Sequence, residues 1–179
     1  MKSDAAILTL ALALSATSAV AEGGVFMSKQ ESLYCAKAEM VVESDCQLTT
    51  DTSRQCKRQT LTLHPEASRE ALPLPHDGRL VKKKMLGNTA VLDGFVTGWS
   101  CLKAKDGKQY FLLAYTCSFG EERGACAGES KEWTRLFAPD GRPLSAGLKR
   151  QDKRYDALYR KLGLTAVMEA GVTLQGLNF

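Results

Sequence analysis

The sequence predicts a mainly β fold of the α+β kind: an antiparallel sheet built from hairpins, one C-terminal amphipathic helix, and disulfide staples. Three observations carry this expectation. Short apolar segments alternate with polar residues at period two, as in Thr60-Leu61-Thr62-Leu63. Tight-turn pairs, Asp106-Gly107 and Asp140-Gly141, separate them. Six cysteines, Cys35, Cys46, Cys56, Cys101, Cys117 and Cys126, follow an export signal. Strands joined by tight turns, without alternating crossover helices, argue against a Rossmann-like chain.

Residues 1–21 read as a signal peptide. Lys2 supplies a positive start, Ala5–Leu14 is a short apolar core, and Ala19-Val20-Ala21 is a cleavage signal. Residues 22–179 then form a single exported domain, and a bacterial periplasm is the expected compartment. No later apolar run is long enough to span a bilayer. Of 179 residues, 44% are hydrophobic and 25% charged, which excludes wholesale disorder. The net charge of +4 is mild, and its densest basic run, Lys82-Lys83-Lys84, lacks interleaved aromatics. That run reads as a solvated edge, so no nucleic-acid partner is expected.

The elements follow in order. Glu22–Ser32 reads as a loose N-terminus. Ala36, Met40 and Val42 alternate with Lys37, Glu39 and Glu43, the pattern of a half-buried strand. Thr49–Gln55 reads as a turn, and residues 60–63 as a second strand. Residues 64–84 contain Pro65, Pro73 and Pro75, then His76-Asp77-Gly78, and read as a long Pro-rich surface loop. Ala90–Leu92 and Phe95–Cys101 read as strands, with Gly94 and Gly98 suited to bulges or close packing. Asp106-Gly107 predicts a hairpin into Tyr110–Tyr115, a central strand buried on both faces. Glu132–Phe137 is a further strand, Pro139-Asp140-Gly141 a turn, and Leu144 opens a return strand. Tyr155, Leu158, Tyr159 and Leu162 share one helical face, with Asp152 as cap and Gly163 as terminator. Val172, Leu174 and Leu177 suggest a terminal strand.

Six cysteines in an exported chain read as disulfides, since no Cys-x-x-Cys pair favours metal. They allow 15 pairings. Cys117–Cys126 is the first choice, because it closes a short loop between two strands. Cys46–Cys56 follows by the same logic, which leaves Cys35–Cys101.

The sequence contains no recognisable catalytic set. Gly98-Trp99-Ser100-Cys101-Leu102 lacks the second glycine of a nucleophile elbow. His64 and His76, even with Asp77, lack a third compact zinc ligand. Glu121-Glu122 and Glu129/Glu132 are carboxylate pairs whose spacing only a structure reveals. No enzyme activity, cofactor or metal is expected. The most informative segment is Cys117-Ser118-Phe119-Gly120-Glu121-Glu122-Arg123-Gly124-Ala125-Cys126. A loop closed by a disulfide and carrying one aromatic and one arginine has the composition of a binding hot spot. The alternative is a hairpin tip with Phe119 folded back onto the core. The expected partner-binding residues are Ser118, Phe119, Gly120, Glu121, Glu122, Arg123 and Gly124.

One resemblance covers residues 95–165. A strand ending in Cys, a Ser/Gly loop closed by a second Cys, Glu132-Trp133-Thr134-Arg135-Leu136-Phe137, Asp140-Gly141-Arg142 and a Tyr155–Gly163 helix resemble periplasmic immunity proteins. These guard bacteria against peptidoglycan-cleaving effectors of the type VI secretion system. In the amidase-inhibiting members a serine-containing loop enters the effector's catalytic cleft, and Ser118 occupies the matching position. The long Pro-rich loop and the acidic Glu121-Glu122 depart from the pattern. The resemblance implies an inhibitor whose partner is a peptidoglycan hydrolase. The alternative is a periplasmic binding or envelope-assembly module without catalytic activity.

Overall fold

The computed structural model describes residues 25–48, 54–66, 68, 70–83, 89–118, 126, 131–148 and 152–173. Residues 1–21 of the expected signal lie outside them. The described elements, in chain order, are β1 (Met27–Cys35), β2 (Ala38–Leu48), β3 (Arg54–His64), β4 (Leu72–Pro73), β5 (Leu80–Lys83), β6 (Thr89–Leu92), β7 (Gly94–Ala104), β8 (Gln109–Cys117), β9 (Glu132–Phe137), α1 (Arg154–Leu162) and β10 (Leu164–Thr173). One antiparallel sheet has the order β1-β2-β3-β4 and a second β10-β7-β8-β9, with β5-β6 as a separate ribbon. Among the described residues the protein is therefore mainly β with one helix, as its patterning predicts.

The two larger sheets share one core. The first contributes Leu33, Met40, Val42, Leu61 and Leu63; the second contributes Trp99, Phe111, Leu113, Tyr115 and Phe137. Alternate residues of each strand meet across the interior, the arrangement of a β-sandwich. All three expected disulfides form: Cys35–Cys101, Cys46–Cys56 and Cys117–Cys126. Cys35 and Cys101 belong to different sheets, so their bond stitches the sandwich across its core. Three disulfides mark a secreted or extracytoplasmic protein. Among the described residues, no helix is long and apolar enough to cross a membrane.

Several local expectations need correction. The expected loose N-terminus contains β1, which pairs with β2 without a register shift from Met27↔Cys46 to Cys35↔Ala38. Its polar alternation is that of an edge strand with one solvated face. The central strand β8 is not fully buried. Phe111, Leu113 and Tyr115 point into the core, whereas Leu112, Ala114 and Thr116 are half-buried on the outer face. Leu112 is apolar because the helix covers that end of the sheet. Leu158, Tyr159 and Leu162 of α1 pack there with Leu102, Ala104, Tyr110 and Leu136. Asp152 sits one residue before the helix N-cap, where its Oδ1 accepts from the Arg154 backbone N–H at 2.9 Å. Gly163 terminates the helix in the left-handed region at φ 65°. Leu144 opens no strand; Phe137↔Pro143 is an isolated bridge. The Leu144 N–H and Ser145 Oγ instead bond the outer edge of β9 at Leu136. That contact covers an edge otherwise open to pairing with another chain.

The largest correction concerns residues 64–84. The described part of this segment stays near the surface, but it is pinned by two short strands and a buried Leu74 and is not one continuous loop. Leu72–Pro73 pairs with β3, the Leu74 N–H donates to Leu61 O at 2.9 Å, and Leu80–Lys83 pairs with β6. Pro73 tolerates a ladder position because β4 is an edge strand of its sheet. The stretch Leu74–Arg79 forms a strap across the end of the sandwich.

Candidate functional site

The loop begins where β8 ends, and its foot is fastened from within. The Ser118 N–H donates to Asp93 O at 2.8 Å, and its hydroxyl donates to Leu92 O. Ser118 is only 1% exposed, so the serine that the resemblance places in a partner's cleft is turned inward here. Asp93 is itself fully buried and ties the foot to the strap. It exchanges two bonds with Arg79: Arg79 N–H to its Oδ1 at 2.7 Å, and its own N–H to Arg79 O at 2.8 Å. The Cys117 N–H donates to Lys131 O at 2.9 Å, and the disulfide to buried Cys126 closes the base. Phe119, Gly120, Glu121, Glu122, Arg123 and Gly124 lie outside the described residues, as does Glu129.

The strap brings a second cluster together that sequence spacing does not reveal. Asp77 Oδ2 accepts from Trp133 Nε1 at 2.7 Å and pairs with Arg135 at 2.7 Å. Both partners of that ion pair are at least two-thirds shielded from solvent. Arg135 also donates to the Tyr155 hydroxyl at 2.7 Å, and that hydroxyl donates to Thr134 O at 2.7 Å. Asp77 of the strap, Trp133 and Arg135 of β9 and Tyr155 of α1 thus form one continuous polar chain. Beneath it Tyr115 stacks on Trp133 with ring centroids 5.0 Å apart. Burial, reinforced by the Asp77 carboxylate, lifts the Tyr115 phenol well above its usual range. Replacing Tyr155 by Phe removes two hydrogen bonds at the partly buried hydroxyl. The expected loss is about 1 kcal/mol, read as a lower urea midpoint at unchanged slope.

Beside this chain a cleft of about 330 Å³ opens, lined by Thr97, Ala114, Glu132, Thr134 and Tyr155 among others. Glu132 lies opposite Thr116 in the β8–β9 register, so the cleft starts next to the foot of the loop. Its floor is the outer face of the sheet, and the bulge between Val96 and Gly98 places Thr97 there. Two threonine hydroxyls, a carboxylate and a fixed tyrosine ring suit a small polar ligand or a polar side chain.

The other sequence candidates are dispersed. His64 is exposed on β3, whereas His76 is turned inward on the strap. Among the described residues, no three His, Cys, Asp or Glu side chains gather into a metal site. Ser100 is buried in mid-strand, paired with Leu112 and Gly171, and occupies no sharp turn. Glu132 stands exposed at the start of β9.

Fold and site together define a disulfide-stapled, extracytoplasmic β-sandwich carrying a closed loop beside a small cleft. No family model, no curated protein and no solved structure matches this chain.

Proposed function

We propose that this protein is a periplasmic inhibitor or immunity protein that blocks a cell-wall-degrading effector enzyme through the 117–126 loop. The observation that carries the reading is the loop's base, closed by Cys117–Cys126 and anchored by Ser118 on Leu92 and Asp93. A loop held at its foot loses little entropy on binding, which favours a slow off-rate. Inhibition of this kind requires a rigid protrusion and a complementary rim, and no chemistry of its own. Phe119, Gly120, Glu121, Glu122, Arg123 and Gly124 are the contact residues in this reading, and Ser118 sets the foot beneath them.

The test is capture by the oxidised protein, without residues 1–21, from secreted and periplasmic fractions, followed by affinity measurement on the captured protein. A single peptidoglycan hydrolase held tightly and inactivated supports the reading. Deletion of Gly120–Gly124, or Phe119→Ala, then weakens binding by about 30-fold or more, the effect of a hot-spot residue. Unchanged affinity in a folded variant removes the loop assignment. The cleft supports a second reading, an envelope-binding or assembly module with no catalytic activity. Capture of envelope proteins through Thr97 and Tyr155, with no effect of the loop deletion, favours it.

A further inference from the structure

His76 sits at the centre of a polar network whose proton positions are dictated by backbone groups. The Gln59 side chain reaches from β3 to β7, where its Oε1 accepts from the Val96 N–H at 2.6 Å. Its Nε2 donates to Val96 O at 3.0 Å and to Ser44 Oγ at 2.9 Å. The amide orientation is therefore settled, and the oxygen faces His76. His76 Nε2, 3.0 Å from that oxygen, must carry a proton and donate it. His76 Nδ1, 3.0 Å from the Gly78 N–H, must be bare and accept. The ring is thus a neutral imidazole with one defined tautomer.

A second proton has only one place to go, Nδ1, where it would confront the Gly78 N–H as donor against donor. Gly78 is packed closely against Gly94, where even a Cβ would meet the carbonyl oxygen. Relief comes by moving the strap. The strap also carries Asp77, which holds Trp133 and Arg135, and Arg79, which holds Asp93.

We propose that His76 is an acid-sensitive latch: protonation of its ring frees the Leu74–Arg79 strap from the sandwich end and loosens Asp77 from Trp133 and Arg135. Facing the ring are Gln59 of β3, Tyr115 of β8 edge-on at 5.4 Å between centroids, Asp93 at the β6–β7 corner and Asp77 on the strap, with Arg135 of β9 behind Asp77. Burial holds the ring below its usual value of 6.5 against the attraction of the Asp77 and Asp93 carboxylates, and the N–H that Gly78 donates to bare Nδ1 favours the same neutral form. The sign follows from linkage. A group whose folded pKa is depressed below its open-state value binds more protons in the open state. The latch is therefore closed above about pH 6.5 and weakens as pH falls, its opening constant rising up to about tenfold per unit. The latch lies between the loop foot and the cleft wall, so it sets the state of both, whatever partner they bind.

Amide exchange, expressed as protection factors corrected for intrinsic rate, tests it on the whole oxidised protein. Between about pH 7 and about pH 5 the protection of Gly78 and Arg79 in the wild type falls up to about tenfold per unit. In His76→Asn the side-chain oxygen still accepts from the residue 78 N–H in an Asx turn but does not titrate, so the fall disappears. An equal fall in His76→Asn, or a flat wild-type profile, overturns the latch. Nitrogen NMR of the wild-type ring needs no variant. An Nε2–H tautomer titrating below about 6.5 supports the proposal; an Nδ1–H tautomer, or titration at 6.5 or above, overturns it.

Discussion

Gly78→Ala is expected to cost about 3 kcal/mol or more and to lower the melting temperature by about 10 °C. A Cβ built at Gly78 lies 1.8 Å from Gly94 O, well inside contact distance. The obstacle is backbone, so no side-chain rotation relieves it. Either β7 shifts at its first residue or the strap lifts. At its first residue β7 is held in the ladder to Cys117 of β8, whereas the strap is held by side-chain bonds at His76 and Asp77 and by isolated bonds at its ends, Leu74 and Arg79. The strap is therefore the part that moves, taking Asp77 away from Trp133 and Arg135. Calorimetry reads the stability loss, and tryptophan fluorescence reads the displaced indole. A folded Gly78→Ala protein with wild-type stability would show that the strap does not seat against Gly94.

Removing the Cys35–Cys101 bond by double substitution to alanine is expected to destabilise the protein by about 4 kcal/mol in the chain-entropy model. Its partners are 66 residues apart, whereas those of Cys46–Cys56 and Cys117–Cys126 are 10 and 9 apart. Each shorter loop is worth about 2.7 kcal/mol by the same relation. The difference is structural as well as entropic. Cys35–Cys101 is the bond that joins the facing sheets, while Cys46 and Cys56 are already register partners on adjacent strands. Urea unfolding of the three double variants gives the order directly. A Cys46–Cys56 variant that loses as much as the Cys35–Cys101 variant would refute the inter-sheet role.

Much of the fold is legible in local sequence. Period-two alternation marks β2 and β3, Asp106-Gly107 marks the β7–β8 hairpin, and the spacing of Leu158, Tyr159 and Leu162 marks the helix face. The hairpin turn carries Gly107 at φ 84°, a conformation few other residues adopt. Cysteine spacing yields the three disulfides, because two short loops fall between neighbouring strands and leave one long bond. These signals are legible because turn chemistry, side-chain period and short-loop closure act over a few residues.

The Pro-rich segment shows where such reading stops. Prolines and Asp-Gly suggest an exposed loop, yet Leu74 enters the core and His76 is clamped between Gln59 and Gly78. No local pattern distinguishes a strap from a loop, since its bonds run to Leu61, Gln59, Asp93 and Trp133, all distant in sequence. The same holds for Ser118. Its place after Cys117 suggests a projecting hydroxyl, but Leu92 and Asp93, brought beneath it by the turn from β6 into β7, draw it inward.

The sequence by itself determines the class of fold, the staples and the oxidising compartment, because each depends on residue type and short-range spacing. Only the tertiary structure decides that two sheets face each other, that residues 74–79 close their end, and that Asp77, Trp133, Arg135 and Tyr155 meet beside a cleft. Those contacts are set by which buried donors and acceptors find one another once the sheets have packed, and that pairing is a property of the whole chain.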